Sequence, residues 1–230
     1  MTPERIDRMN LPVEFIHGMG QGPESWLPVI AQLPEWVDAN AASMPSISAP
    51  AHVPFTLDRA ADWVAAELAD RTEDSAVVVG LSLGAKVAIR LASREPGLVR
   101  GLMLSAPVAK PPKALMNVQR ALLRMMPAKQ LEAGSIAHGG IGLNKQDLLD
   151  VLQHLANSDQ SAELTRIEVP VLVLVGERDR LNHRFSGRVA ELLPNATMRV
   201  VPDAGHDWNR THPAQFAKIV TEWLETLDAA

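Results

Sequence analysis

The chain contains no cysteine. That absence excludes a disulfide framework, a cysteine nucleophile and thiolate metal sites. It says little about compartment, since a secreted protein can also lack cysteine. A basic excess is missing too: 22 Lys and Arg stand against 27 Asp and Glu, for a net charge of −5. Nucleic-acid binding leaves a basic footprint, so no nucleic-acid partner is expected. Long apolar runs are absent. The longest, residues 76–79 and 169–175, fall far below the ~20 residues of a membrane span, so no membrane partner is expected. The first residues are charged and form no apolar h-region, which makes a signal peptide unexpected and a cytoplasmic location the default. No Gly-rich phosphate loop and no metal-ligand cluster is present, so neither metal nor cofactor is expected.

What is present suits an ordinary globular protein. The 230 residues, 47% hydrophobic, are enough for one domain with a sizeable core. Short apolar runs alternate with amphipathic stretches. Strands are expected at 13–17, 37–44, 76–79, 98–104, 169–175 and 197–201. Helices are expected at 25–33, 55–71, 83–93, 185–193 and 213–227. Strands separated by helices predict an α/β fold: a mostly parallel sheet of about six strands, flanked by helices and joined by right-handed crossovers. Residues 107–166 break the rhythm. They hold two helical patterns, 114–126 and 145–155, joined by the Gly-rich 133–142. This reads as a small helical cap inserted in a single domain of residues 1–230, above the carboxyl ends of the strands.

Gly80-Leu81-Ser82-Leu83-Gly84 directly follows a β-branched strand and directly precedes an Ala-rich helix. Serine on so sharp a turn needs small residues two before and two after it, because side chains there would meet the neighbouring strand and helix. Gly80 and Gly84 supply them. The Ser82 hydroxyl then projects above the sheet as a nucleophile, with the Leu83 N–H at a helix N-terminus. A bare G-x-S-x-G is common by chance, but one in this setting is much rarer.

Serine needs a base within hydrogen-bond reach. Of seven histidines, His206 sits just after the last strand, at the sheet edge where side chains can converge on Ser82. An acid must then hold the imidazole. Asp179, in Gly176-Glu177-Arg178-Asp179, follows the strongest late strand. Glu177 is its rival in the same loop. Asp203 and Asp207 adjoin His206 too closely in sequence to suit a partner from another strand. The expected triad is Ser82, Asp179 and His206, in that chain order. An oxyanion hole needs two aimed N–H donors. Leu83 offers one, and Met19 the other, in His17-Gly18-Met19-Gly20 after the first strand; His17 is expected to be structural.

In these blocks the sequence resembles the α/β-hydrolase superfamily: His17-Gly18 with Trp26 downstream, the serine pentapeptide, then Asp179 and Ala204-Gly205-His206. The resemblance covers residues 12–106 and 167–228. It is closest to small esterases, enol-lactonases and carboxylesterase-like members with a short cap. It extends to the succinyl-cyclohexadiene-carboxylate synthases, which use such a triad for elimination. The resemblance implies a serine hydrolase cleaving a small ester or lactone through an acyl-enzyme. Serine at position 82 argues against epoxide hydrolases and dehalogenases, which would need aspartate there.

Three departures stand out. Only about a dozen residues precede the first strand, so the family's leading hairpin is expected to be missing or reduced. Met44 to Pro50 replaces a Gly-rich segment. The cap is short.

Gly18, Trp208, Met125 and Arg124 are the expected substrate contacts, and Trp26 is expected in the core. Lys110, Lys113, Arg120, Arg124 and Lys129 occur without an acidic neighbour between 107 and 131. If one or two face the pocket, they favour a substrate with a carboxylate or phosphate; the plainer reading is a solvated helix face. Leu115, Val118, Leu122, Leu123, Met125 and Met126 are expected to line the pocket or the cap–core contact. The alternatives to ester hydrolysis are a lyase or C–C hydrolase, which basic pocket residues would favour, a thioesterase, and a non-catalytic binding protein. Oligomeric state is not legible.

Overall fold

The computed structural model describes residues 10–44, 54–130 and 145–227. The Gly-rich stretch 133–142, residues 45–50 and the first nine residues, on which three of the expectations above fall, lie outside that set.

Six strands form one sheet: β1 Leu11–Ile16, β2 Val37–Ala42, β3 Ala76–Leu81, β4 Val99–Ser105, β5 Val171–Gly176 and β6 Ala196–Val201. Their order is β2-β1-β3-β4-β5-β6, and every pairing is parallel. β1, β3 and β5 are buried along their whole length. That is why they read as near-continuous apolar runs: a parallel sheet covered on both faces has no polar side.

Successive residues nonetheless divide between two cores, as the two-residue strand period requires. Val77, Val79, Leu81, Met103, Leu172 and Leu174 point to a core holding Trp26, Trp208 and Phe216. Ala76, Val78, Leu102, Leu104, Val171 and Val173 point to the opposite core. The first face is covered by α9 (Pro213–Leu227), with α1 (Leu27–Ile30) packed on it. The second is covered by α2 (Leu57–Arg71), α3 (Leu83–Arg94) and α7 (Arg180–Leu192).

Between β4 and β5 the chain adds α4 (Lys113–Met125), α5 (Lys145–Ala156) and α6 (Ser161–Leu164). α4 and α5 pack on each other. The insertion is tied to the core at its far side, where His154 Nε2 accepts the Leu57 N–H at the start of α2 (3.1 Å). No helix among the described residues is long and apolar enough to cross a membrane.

β1 and β3 are neighbours whose following strands lie on opposite sides of them. Chain order therefore reverses there, and ligands of open parallel sheets bind outside the strand carboxyl ends at such a point.

Candidate active site

Ser82 stands between β3 and α3 with φ 54° and ψ −105°. A positive φ is costly for a residue with a side chain and persists only where the surroundings impose it. Here they do. The Ser82 N–H donates to Ser105 O (2.8 Å) at the end of β4. A Cβ on Gly84 would lie 2.1 Å from Ile16 O, and one on Gly80 2.5 Å from Gly84 O. The turn therefore requires glycine at both positions, so that α3 can approach β1 closely.

Asp179 is the residue before α7, and its loop is stitched to the loop after β6. Glu177 and Arg178 donate their N–H groups to Val201 O and Ala204 O (2.9 Å each). The Asp203 N–H donates to the Glu177 carboxylate (3.0 Å), and Arg178 pairs with Asp203 (2.6 Å). Gly176 allows this approach, since a Cβ there would sit 2.4 Å from Ala204 O and Gly205 O. The stitching carries His206 to Asp179: Nδ1–H donates to Oδ2 at 2.7 Å, which leaves Nε2 as the basic nitrogen. Burial works against charge on this imidazole, but the hydrogen bond and charge of Asp179, helped by Asp207, outweigh it and hold its pKa above the ordinary value. Burial pushes the Asp179 carboxyl up, yet its bonds to His206 and Asn182 leave it below the usual carboxylate range. The rivals are occupied otherwise: Glu177 and Asp203 hold the loops, and Asp207 accepts the Gln21 amide (3.1 Å).

That last bond joins the His206 loop to the loop after β1. Asn209 reinforces it, donating to Ser25 O and Gln21 Oε1. In the β1 loop, His17 is fully buried and donates Nδ1–H to Gly18 O (2.9 Å); burial pulls its pKa down to about 4, so it is neutral at pH 7. Gly20 takes φ 79°.

These loops and the insertion enclose a cavity of about 380 Å³. Ser82, Leu83, Asp179, His206 and Met19 all line it, so the three proposed triad residues and both residues expected to supply oxyanion N–H groups meet at one place. Leu115, Met116, Leu152 and Leu155 form its wall on the insertion side.

The model of the alpha/beta hydrolase family matches residues 15–219. The chain belongs to that family. A pimeloyl-[acyl-carrier protein] methyl ester esterase of Chromobacterium violaceum is 29% identical over 247 residues, covering 93% of this chain and 94% of that protein. Among solved structures, the enol-lactonase from Burkholderia xenovorans LB400 superposes with a TM-score of 0.81 at 17% identity, covering 94% of this chain and 92% of that one. A thermophilic esterase from Thermogutta terrifontis gives 0.79 at 21%, covering 95% and 91%. The two structures share the fold with this chain.

Not every expected contact is at the cavity. Trp208 is fully buried on the other side of the sheet, stacked on Phe216 (4.1 Å between ring centroids), with Nε1–H donating to Ser105 Oγ (2.8 Å). It starts a short helix, α8 (Trp208–Thr211), that turns its ring into the core. Met125 is 83% exposed, and Arg124 is exposed with its carbonyl accepting from Lys145. Both sit at the outer end of α4 and do not line the cavity. Gly18 is absent from the lining, although Met19 beside it is present. Trp26 is in the core, against Phe15 and Phe216.

None of the five cations between 107 and 131 lines this cavity; Lys110 pairs instead with Asp159 (2.8 Å). Of the apolar residues expected there, Leu115 lines the cavity and Leu123 packs on the core, while Val118, Leu122, Met125 and Met126 are exposed. Most of the other lining residues escaped the sequence reading, the polar Asn182 and Lys86 among them. Asn182 donates its amide to Asp179, and Lys86 lies one turn beyond Ser82 on α3. The signal for Lys86 was in the sequence, as a lone charge in an Ala- and Val-rich stretch four residues from the serine.

Proposed function

We propose that this chain hydrolyses a small carboxylic ester through a covalent acyl-enzyme, with Ser82 as nucleophile, His206 as general base and Asp179 as its orienting acid. The observation that carries the reading is the convergence on one cavity of a strained serine, a helix N-terminal N–H and a histidine bonded to a buried aspartate. Nε2 of His206 takes the Ser82 proton as Oγ attacks the carbonyl carbon. The N–H groups of Met19 and Leu83 hold the oxyanion, each supplying on the order of 10²–10³ in rate. The imidazolium, stabilised by Asp179, returns the proton to the leaving alkoxide as the C–O bond breaks. Water then repeats the sequence to release the acid.

Residues 107–166 act as a short cap on one catalytic domain, and Leu115, Met116, Leu152 and Leu155 favour a modest apolar acyl chain. That the Chromobacterium violaceum relative is a methyl ester esterase supports an ester over a lactone or thioester. A cluster of cations would have favoured a polyanionic lyase substrate. Among the described residues, the lining holds one, Lys86.

An acyl-enzyme burst with p-nitrophenyl butyrate, compared with Ser82→Ala, tests this. A stoichiometric burst is expected from the parent and none from the variant. A parent that neither bursts nor takes a fluorophosphonate at Ser82 refutes the reading.

A further inference from the structure

Lys86 is only 3% exposed, yet its side chain reaches the cavity that holds Ser82 and His206. It lies four residues beyond Ser82, whose carbonyl accepts the Lys86 N–H (3.3 Å). Residues at that spacing share a helix face. A lysine ammonium has three protons to place. Two go to Val108 O (2.9 Å) and Ala109 O (3.1 Å). No carboxylate among the described residues pairs with it. Glu163, the carboxylate acting on it most strongly, pairs with Arg90, and Asp159 pairs with Lys110. The cavity it lines is mostly apolar, with Val108, Leu115, Met116, Leu152 and Leu155 in its wall.

A buried cation with a proton left over in an apolar wall is unfavourable, and an apolar side chain of equal length would pack there at less cost. If Lys86 only fastened the insertion to α3, the fastening already has a neutral substitute beside it. Gln160 donates its N–H to Ala109 O (3.2 Å) and its amide to Lys86 O (2.9 Å). Among the described residues the charge is therefore left without a carboxylate partner, in the cavity that holds Ser82 and His206.

We propose that Lys86 is a specificity-determining residue that receives a carboxylate at the far end of the acyl chain, so that the substrates are monoesters of short dicarboxylic acids. This rests on the ester-hydrolase reading above and narrows it. The acyl side follows from the places of His206 and Lys86. His206 must protonate the leaving alcohol, and its side chain is 40% exposed, so the alcohol departs toward the mouth. The acyl group stays on Ser82 and extends toward the buried side, where Lys86 is. Four helical residues rise about 6 Å, so a few methylenes bridge the ester carbonyl and the ammonium.

The test compares p-nitrophenyl hydrogen glutarate with p-nitrophenyl pentanoate, which has the same acyl length and no charge. The two are run on the parent, Lys86→Met and Lys86→Arg, with fluorophosphonate labelling of Ser82 as a separate measure of the nucleophile. The parent is expected to prefer the anionic ester in kcat/KM by roughly ten- to a hundredfold, the range of one charge-assisted hydrogen bond. Lys86→Met should abolish the preference, mainly through KM, and Lys86→Arg should restore part of it. Equal rates on the two esters in the parent, with Ser82 labelled, overturn this proposal alone. So does a Lys86→Met variant that slows both esters alike, since that is the behaviour of a structural fastening. A parent that neither labels nor turns over either ester overturns the hydrolase reading, and this proposal falls with it.

Discussion

Asn182 donates its side-chain amide to both carboxylate oxygens of Asp179, at 2.9 Å each, from one turn further along the chain. The same nitrogen lies 3.2 Å from Nδ1 of His206. The carboxylate that orients the histidine thus shares its charge with a neutral amide, which holds it in one plane and keeps part of its charge from the imidazole.

Replacing Asn182 by Ala should leave more of the Asp179 charge for His206 and favour the imidazolium further. Activity requires the neutral imidazole, so kcat/KM should rise with pH through a value already above the ordinary ~6.5 of histidine. In Asn182→Ala that midpoint should move up again, with kcat near neutral pH falling roughly tenfold as orientation loosens. The pH profile of kcat/KM checks this. An unmoved midpoint would make Asn182 a packing residue only.

Gly84→Ala should be among the most damaging single-methyl changes in the chain. Its Cβ would meet backbone, the carbonyl of Ile16 at 2.1 Å, which no rotamer change can relieve. A loss of about 3 kcal/mol or more is expected, visible as a lower urea midpoint or failure to accumulate folded protein. Gly97→Ala is the control. Nothing lies within 4 Å of its Cβ and its φ is ordinary, so it should be neutral or slightly stabilising.

Trp208→Phe should separate support from contact. It removes the indole bond to Ser105 Oγ while keeping the stack on Phe216. The buried hydroxyl loses its donor, at a cost of about 1–2 kcal/mol in denaturant unfolding. Ser105 also takes the Ser82 N–H through its carbonyl, so kcat should drop severalfold. Because Trp208 does not line the cavity, KM should change alike for acetate, butyrate and hexanoate esters. A KM that changes with acyl length would put the indole against the substrate after all.

The positions of the six strands could be read from the chain because burial on both faces leaves β1, β3 and β5 no freedom of composition, and Gly80 and Gly84 are dictated by backbone approach. Pairing order and register needed the structure. Loop residues were legible by place and not by direction. Position 206 faces the cavity, whereas position 208 opens a helix and turns the other way, and no periodicity in so short a loop carries that difference. On α4 the apolar residues cover a wider arc than the insertion uses, which is why Leu115 is at the cavity and Met125 in solvent. Lys86 was passed over because a lysine normally reads as the wet side of a helix, and α3 has little wet side: Leu83 to Ile89 are all buried.

Burial pulls the Lys86 ammonium down to about 8, against Glu163 and Asp159, which favour its charge, and with Arg90, which opposes it. Two measurements follow from that value. The preference for an anionic ester should be full below about pH 8 and should fade as pH rises through it, because a neutral amine cannot hold a carboxylate. Stability should move in the opposite sense. The folded protein binds this proton less tightly than the unfolded chain, whose lysine keeps an ordinary value near 10.5. The burial cost is therefore carried in full below about pH 8 and is relieved as pH climbs from there toward 10.5. Between pH 7 and 9 this group alone should add about 1 kcal/mol to the parent's unfolding free energy. Lys86→Met should lack that rise while remaining at least as stable as the parent at pH 7. Urea unfolding of both proteins at pH 7 and pH 9 reads the difference. Parallel changes in the two would mean that Lys86 carries no buried charge, and the expected pH limit on selectivity would fail with it.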